Sequence, residues 1–179
     1  MSEPRAGGQL VSIDALGNHD LLPAARSLLK SRAGQEGGFS TWDASHIFYE
    51  LQALKTGELP SARTLLLLYA ADLRFRLRWQ ILPALDEGQL MVAIPYVETG
   101  IAFGLACGLP RKWLDEIFRF APVPAESFWL DGKPGSSSSK DGFLEYCSRI
   151  LPEDFFERFG AHFVELQNCG KCKPMHLQL

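Results

Sequence analysis

Hydrophobic positions along the chain change spacing repeatedly, and the changes predict strands and helices in turn. Residues 9–14 (QLVSID) form a short β-prone run. From residue 20 to residue 32, Leu21, Leu22, Ala25, Leu28 and Leu29 fall on one helical face, with Asp20 placed to cap the helix and Pro23 in its first turn. The glycine-rich stretch 33–41 (AGQEGGFST) predicts a loop. A helix over 42–56 follows, with Ile47, Leu51 and Leu54 on one side and Asp43 as its cap, closed by the turn at 57–60.

Ser61 caps the next helix, whose apolar residues cover most of its circumference from Leu65 to Leu77. A helix apolar all round belongs in the interior. Arg74 and Arg78 share a face while Arg76 points elsewhere, so the three arginines do not make one basic patch. Pro83 ends or kinks the helix. Residues 90–94 (LMVAI), between a Gly turn and Pro95, read as a strand covered on both faces in a parallel sheet. Pro110 opens a helix over 111–120 with Trp113, Ile117 and Phe120 at core spacing. The serine run in 132–142 reads as a flexible loop. Helical patterns return at 143–150 and 153–167, where Phe155, Phe159 and Phe163 repeat at core spacing.

Composition narrows the class. At 179 residues, with 46% hydrophobic and 22% charged residues, the chain suits one ordinary globular domain. A formal charge of -3 gives no basic footprint for nucleic acid. No apolar run approaches the roughly 18 residues of a membrane span, and the first residues lack a secretion-signal pattern, so the expectation is a cytoplasmic protein with no membrane partner. Four cysteines do not make a disulfide framework for this length.

Three stretches, LLLLYAAD (65–72), ILPALDEGQ (81–89) and IPYVETGIAF (94–103), carry more specific information. In that order and at those separations they resemble the middle of thymidylate kinases, and a thinner resemblance extends over about 9–167. Glu36, Gly37 and Gly38 are similar to that family's E-P-G-G-T segment without its Pro, and residues 127–131 (SFWLD) resemble the strand that the family ends with L-D. The resemblance implies an α/β fold: a parallel sheet flanked by helices, a P-loop NTPase or nucleoside monophosphate kinase sandwich. Intact members transfer a phosphoryl group from ATP with magnesium to thymidylate, commonly as dimers.

Carried over residue by residue, the resemblance implies a nucleoside pocket at Tyr69, Asp72, Arg74, Tyr96 and Phe103. Tyr69 and Asp72 match the family's motif, but its base-holding arginine falls on Leu73. Arg74 is one step, about 100° of helix, away. Tyr96 is kept and Phe103 is a close replacement, as are Glu98 and Thr99. Aromatic residues at such spacing also serve core packing. The positions that grip phosphate and magnesium differ more. Without a gap, the phosphate-loop Lys falls on Leu21 and the magnesium-binding hydroxyl on Leu22, while Gly17 falls on a non-glycine position. Asp20 adds a negative charge there, worth roughly 4 kcal/mol of repulsion per unit charge at ~4 Å, although capping is the simpler role for it. The acidic and arginine residues at the end of the family's next strand become Ile94 and Pro95, and only Lys133 and Lys140 stand in the lid region, as solvated loop charges. Phosphoryl transfer rests on positioning and charge neutralisation, so together these losses predict a pseudoenzyme with no catalytic residues and no ATP or magnesium cofactor. It would act by binding a second copy, another protein or a nucleotide. The alternative is a divergent, active nucleoside monophosphate kinase that uses Arg74, Lys133 or Lys140 in borrowed roles.

The C-terminal residues 169–179 form a polar tail to a thymidylate-kinase-like domain over 1–168. There Cys169, Cys172 and His176 have zinc-ligand spacing but supply three of the four ligands a closed site needs, with His162, Cys147 or a second chain as sources of the fourth. A reduced, disordered tail is the simpler expectation. His19 and His46 have no partner pattern.

Overall fold

A computed structural model describes residues 7–15, 21–32, 34–53, 60–130 and 152–175. Strands β1 (Gln9–Ala15), β2 (Gly37–Thr41), β3 (Leu90–Ile94), β4 (Glu126–Leu130) and β5 (Lys173–Met175) form one five-stranded sheet in the order β2-β3-β1-β4-β5, every pairing parallel. Val11 lies opposite Val92, and Asp14 opposite Trp129. Parallel neighbours require crossover connections, supplied by α1 (Leu22–Ser31), α2 (Ile47–Ala53), α3 (Ala62–Arg76), α4 (Leu82–Asp86), α5 (Val97–Ala106), α6 (Arg111–Phe118) and α7 (Phe155–Asn168). A π-helical turn, Leu77–Ile81, joins α3 to α4.

The two-residue period of the strands divides the core. Val11, Ile13, Leu90, Val92 and Ile94 face α1, and Leu10, Met91, Ala93 and Trp129 face the larger cluster built on α3, α5, α6 and α7. β3 is buried at every position, as its sequence predicts for a strand covered on both faces. Phe155, Phe159 and Phe163 are also fully buried, and Trp129 stacks on Phe163 at 5.7 Å between centroids.

Several local expectations are corrected. The glycine-rich loop contains β2. α2 begins at Ile47 rather than near Trp42, because Asp43 takes a left-handed conformation (φ 56) in the preceding turn. From there its carboxylate still caps α2, accepting from the backbone N–H groups of Phe48 and Tyr49 at 2.9 Å each. Ser61 caps α3 as predicted, accepting from Thr64 N–H at 3.3 Å. Leu21 is the N-cap of α1 and contributes no side-chain bond, while Asp20 lies outside the described residues. Helical structure passes through Pro83, where the chain changes from the π-helical turn to α4 instead of ending. α3 is apolar all round yet only half covered, with Leu67 and Phe75 exposed. Beyond α7 the chain returns to the sheet as β5 instead of trailing from it, and Cys172 is buried. The helix expected over 143–150 and the loop at 132–142 lie outside the described residues.

Candidate functional site at the strand ends

Adjacent strands β1 and β3 send their following helices to opposite faces of the sheet, α1 to one and α5 to the other. Such a switch point leaves a crevice beyond the carboxyl ends of the strands, and ligands of open α/β sheets bind there. The walls of this crevice are the end of β1 with the head of α1, and the end of β3 with the head of α5.

The head of α5 is already filled from within. Its N-cap, Tyr96, offers no side-chain acceptor, and Asp14 on β1 takes that place. Oδ1 of Asp14 accepts from Tyr96 N–H at 2.9 Å, Thr99 N–H at 3.1 Å and the Thr99 hydroxyl at 2.6 Å. Oδ2 is buried without a hydrogen-bond partner. Burial pushes the Asp14 carboxyl up to about 6, the Thr99 and Tyr96 bonds pull it back, and the charge of Glu98 adds a little more. Glu98, in the first turn of α5, bonds in turn to His162 Nε2 on α7 at 2.7 Å. Two carboxylates therefore occupy the positive end of this helix, where an anionic ligand would otherwise be drawn. Their charges, after burial itself, also help push the Cys172 thiol up to about 12.

The head of α1 is hydrocarbon. Leu21 and Leu22 pack against the apolar cluster that contains Ile94 from the end of β3. Ile94 is followed by a cis peptide to Pro95, which has no N–H to donate. ATP and magnesium call for cations, hydroxyls and carboxylates, and the side chains of Leu21, Leu22, Ile94 and Pro95 supply none of these. Gly17, His19 and Asp20, in the connection from β1 to α1, lie outside the described residues, as do Lys133 and Lys140.

Arg76 on α3 reaches the ends of β2 and β3 and is fully buried. Its Nε donates to Ser40 Oγ at 3.0 Å, Nη2 to the Ser40 carbonyl at 2.7 Å and Nη1 to the Pro95 carbonyl at 2.9 Å. Burial lowers its pKa, with Tyr69 and Asp72 opposing the shift. Asp72, one turn earlier, accepts from the N–H groups of Asp43 at 3.1 Å and Ser45 at 2.9 Å. Its pKa is raised, chiefly by burial. Arg76 and Asp72 thus fasten the α2 turn, β2 and the end of β3 to one helix.

The five residues of the nucleoside pocket suggested by the sequence are placed as follows. Tyr69 and Tyr96 come together: the Tyr69 hydroxyl donates to the Tyr96 carbonyl at 2.6 Å and the Tyr96 hydroxyl to the Pro122 carbonyl at 2.8 Å. Both rings are buried, with Tyr69 edge-on to Phe118. Phe103 is buried against Phe155. Asp72 serves the α2 turn, and Arg74 lies on the exposed side of α3 over Phe120, at 5.4 Å. Asp14, Arg76 and His162 as a partner of Glu98 were not predicted from spacing. The available signals were a lone carboxylate in an apolar strand for Asp14 and an arginine four residues after Asp72 for Arg76.

Among the described residues no three His, Cys, Asp or Glu side chains converge on a metal position. Cys169 is exposed at the end of α7, Cys172 is buried, and His176 lies outside the described residues. His46 is exposed, its ring 6.2 Å from that of Tyr49.

A parallel sheet in this strand order, flanked by helices and opening at the β1–β3 crevice, defines a P-loop NTPase-like α/β sandwich. No family model matches the chain. It is 35% identical over 89 residues to a probable thymidylate kinase of Pyrococcus abyssi, a match covering 50% of this chain and 37% of that one. A probable thymidylate kinase of Staphylothermus marinus is 31% identical over 125 residues, 69% of this chain and 63% of the relative. The matched stretch takes in less than two thirds of each of these relatives. The crystal structure of thymidylate kinase from Ehrlichia chaffeensis superposes with a TM-score of 0.68 at 14% identity, covering 96% of this chain and 92% of that one. The chain is related to the thymidylate kinases, in sequence through its middle and in fold over nearly its whole length.

Proposed function

We propose that this thymidylate-kinase-like chain does not transfer phosphoryl groups and works as a binding module. The observation that carries the reading is the joint packing of Leu21, Leu22 and Ile94 in one apolar cluster at the mouth of the crevice. Phosphoryl transfer needs a cradle for the β- and γ-phosphates and a metal to spread the developing charge. Hydrocarbon at those positions stabilises neither. Asp14 and Glu98 at the head of α5 further oppose a polyphosphate.

Binding is supported by the uncovered side of α3, where large apolar side chains face solvent with no element of the described chain over them. A surface of this kind serves a second copy or another protein. The residues Tyr69, Tyr96 and Phe103 leave a nucleotide as the lesser candidate, because their rings are buried. Incubation with thymidylate, ATP and magnesium tests the reading. Product at background rate supports a pseudoenzyme, and turnover above background establishes the divergent kinase instead. Separate calorimetric titration with thymidylate distinguishes a nucleotide-binding module from a protein-binding one.

A further inference from the structure

Ser12 and Asp14 interrupt the apolar run of β1 at alternate positions, and both are fully buried. The two-residue period puts them on the face of the sheet that α5 and α7 cover, with Leu10, Ala93 and Trp129. Ser12 lies opposite Ala93 on β3 and Ser127 on β4, so a row of small side chains crosses the sheet there. Asp14 lies opposite Trp129, whose ring stacks on Phe163, and the His162 ring is 5.7 Å from that same phenyl. β1, β4 and α7 thus bring Ser12, Asp14, Trp129 and His162 into one layer.

Each of these four residues keeps a polar atom without a partner. Ser12 Oγ, Asp14 Oδ2, Trp129 Nε1 and His162 Nδ1 are buried and make no hydrogen bond among the described residues. Their chemistry narrows what can satisfy them. Asp14 Oδ2 accepts when ionised, and His162, with its Nε2–H given to Glu98, accepts at Nδ1. The Trp129 indole only donates, and the Ser12 hydroxyl does both. A cation would meet the Trp129 N–H, and an anion would meet Asp14 and Glu98. Apolar filling would leave all four atoms unpaired, at a cost in stability for each. A small neutral molecule that both donates and accepts suits the whole set, and water takes that role in the confined polar places of protein interiors.

We infer that this layer between the sheet and α7 is a built hydration site, holding ordered water that donates to Asp14 Oδ2 and His162 Nδ1 and accepts from Trp129 and Ser12. The water completes a polar chain from Thr99 through Asp14 to His162 and Glu98, across a cluster otherwise made of hydrocarbon and aromatic rings. The end of β1, at the floor of the crevice, is thereby tied to α7. Glu98, with 27% of its side chain exposed, is where the chain reaches solvent. The site holds whether or not the protein transfers phosphoryl groups.

Nuclear magnetic resonance of the full, isotope-labelled chain tests the site. The chain has four tryptophans, and the indole signal of Trp129 is the one lost in Trp129→Phe. The expected result is a cross-relaxation peak between that indole N–H and water, with the sign of a molecule that tumbles with the protein. Ser12→Ala removes a hydroxyl that relays magnetisation by proton exchange, and the peak should persist there. Ser12→Val fills the row with hydrocarbon and should weaken the peak by about fivefold or more. Absence of the peak in the parent, its loss in Ser12→Ala, or its full strength in a folded Ser12→Val overturns the inference. A crystal structure of the parent decides independently of any variant. Isolated density within about 3.2 Å of Asp14 Oδ2 and of His162 Nδ1 is expected. A dry layer, a metal ion, or a side chain of the protein in contact with those atoms overturns the inference.

Discussion

Asp14 caps a helix to which it does not belong, receiving both the backbone N–H and the hydroxyl of Thr99 on a single carboxylate oxygen. The pair ties the end of the central strand to the start of α5. It also places a buried negative charge where this kind of fold elsewhere receives ligands.

That charge makes stability depend on pH in a defined window. The folded carboxyl titrates near 6, above the ordinary value of 3.8, so the folded state binds the extra proton in between. The contribution is fully present below about pH 4 and is lost as pH rises through 6, a difference of about 3 kcal/mol. Urea unfolding of Asp14→Asn at pH 4 to 8 should show a flatter profile than the parent across that interval. Parallel profiles for the two proteins would remove Asp14 as the source.

Arg76 is expected to be among the costliest residues to replace. Arg76→Met leaves the Ser40 hydroxyl, the Ser40 carbonyl and the Pro95 carbonyl short of a donor in a buried place. The loss should be about 3 kcal/mol, and Arg76→Lys should recover only part of it because an ammonium cannot span the fork. Equilibrium denaturation of both variants checks the order.

How far the fold was legible follows from these same elements. β3 and α7 carry undisturbed periods and were readable. β2 was not, and its glycines are the cause: a Cβ on Gly37 would collide with the Leu90 carbonyl, so the residue that permits the close pairing of β2 with β3 also makes the stretch look like a loop. The breadth of apolar character around α3 was legible, but whether both sides are covered is a tertiary fact. Asp14 and Arg76 belong to the same class. A carboxylate in a strand and an arginine on a helix carry no mark in sequence of partners 85 and 36 residues away. The hydrocarbon at Leu21, Leu22 and Ile94 was visible from the family comparison, whereas their joint packing required the fold.

Gly100 is predicted to resist enlargement. A Cβ there would lie 2.5 Å from Phe118 Cζ and 3.1 Å from Tyr69 Cε1, so α5 packs against α6 and α3 only without one. Gly100→Ala should destabilise by about 1–3 kcal/mol despite the better helix propensity of alanine. A raised melting temperature would show that the rings move aside freely.

The two C-terminal cysteines should differ in reactivity. Cys169 is exposed, whereas burial and the neighbouring carboxylates push the Cys172 thiol up to about 12, leaving little thiolate at neutral pH. In a Cys147→Ser background, alkylation at pH 8 should label Cys169 quickly and Cys172 only on unfolding, as read by mass spectrometry of the C-terminal peptide. Equal labelling of both in the folded protein contradicts the burial of Cys172.

Calorimetric titration of the purified chain with magnesium-ATP addresses the central claim most directly. The account predicts no saturable heat at millimolar nucleotide, because hydrocarbon and carboxylate line the crevice where phosphates would rest. Saturable binding in the micromolar range, abolished when magnesium is chelated, would contradict it.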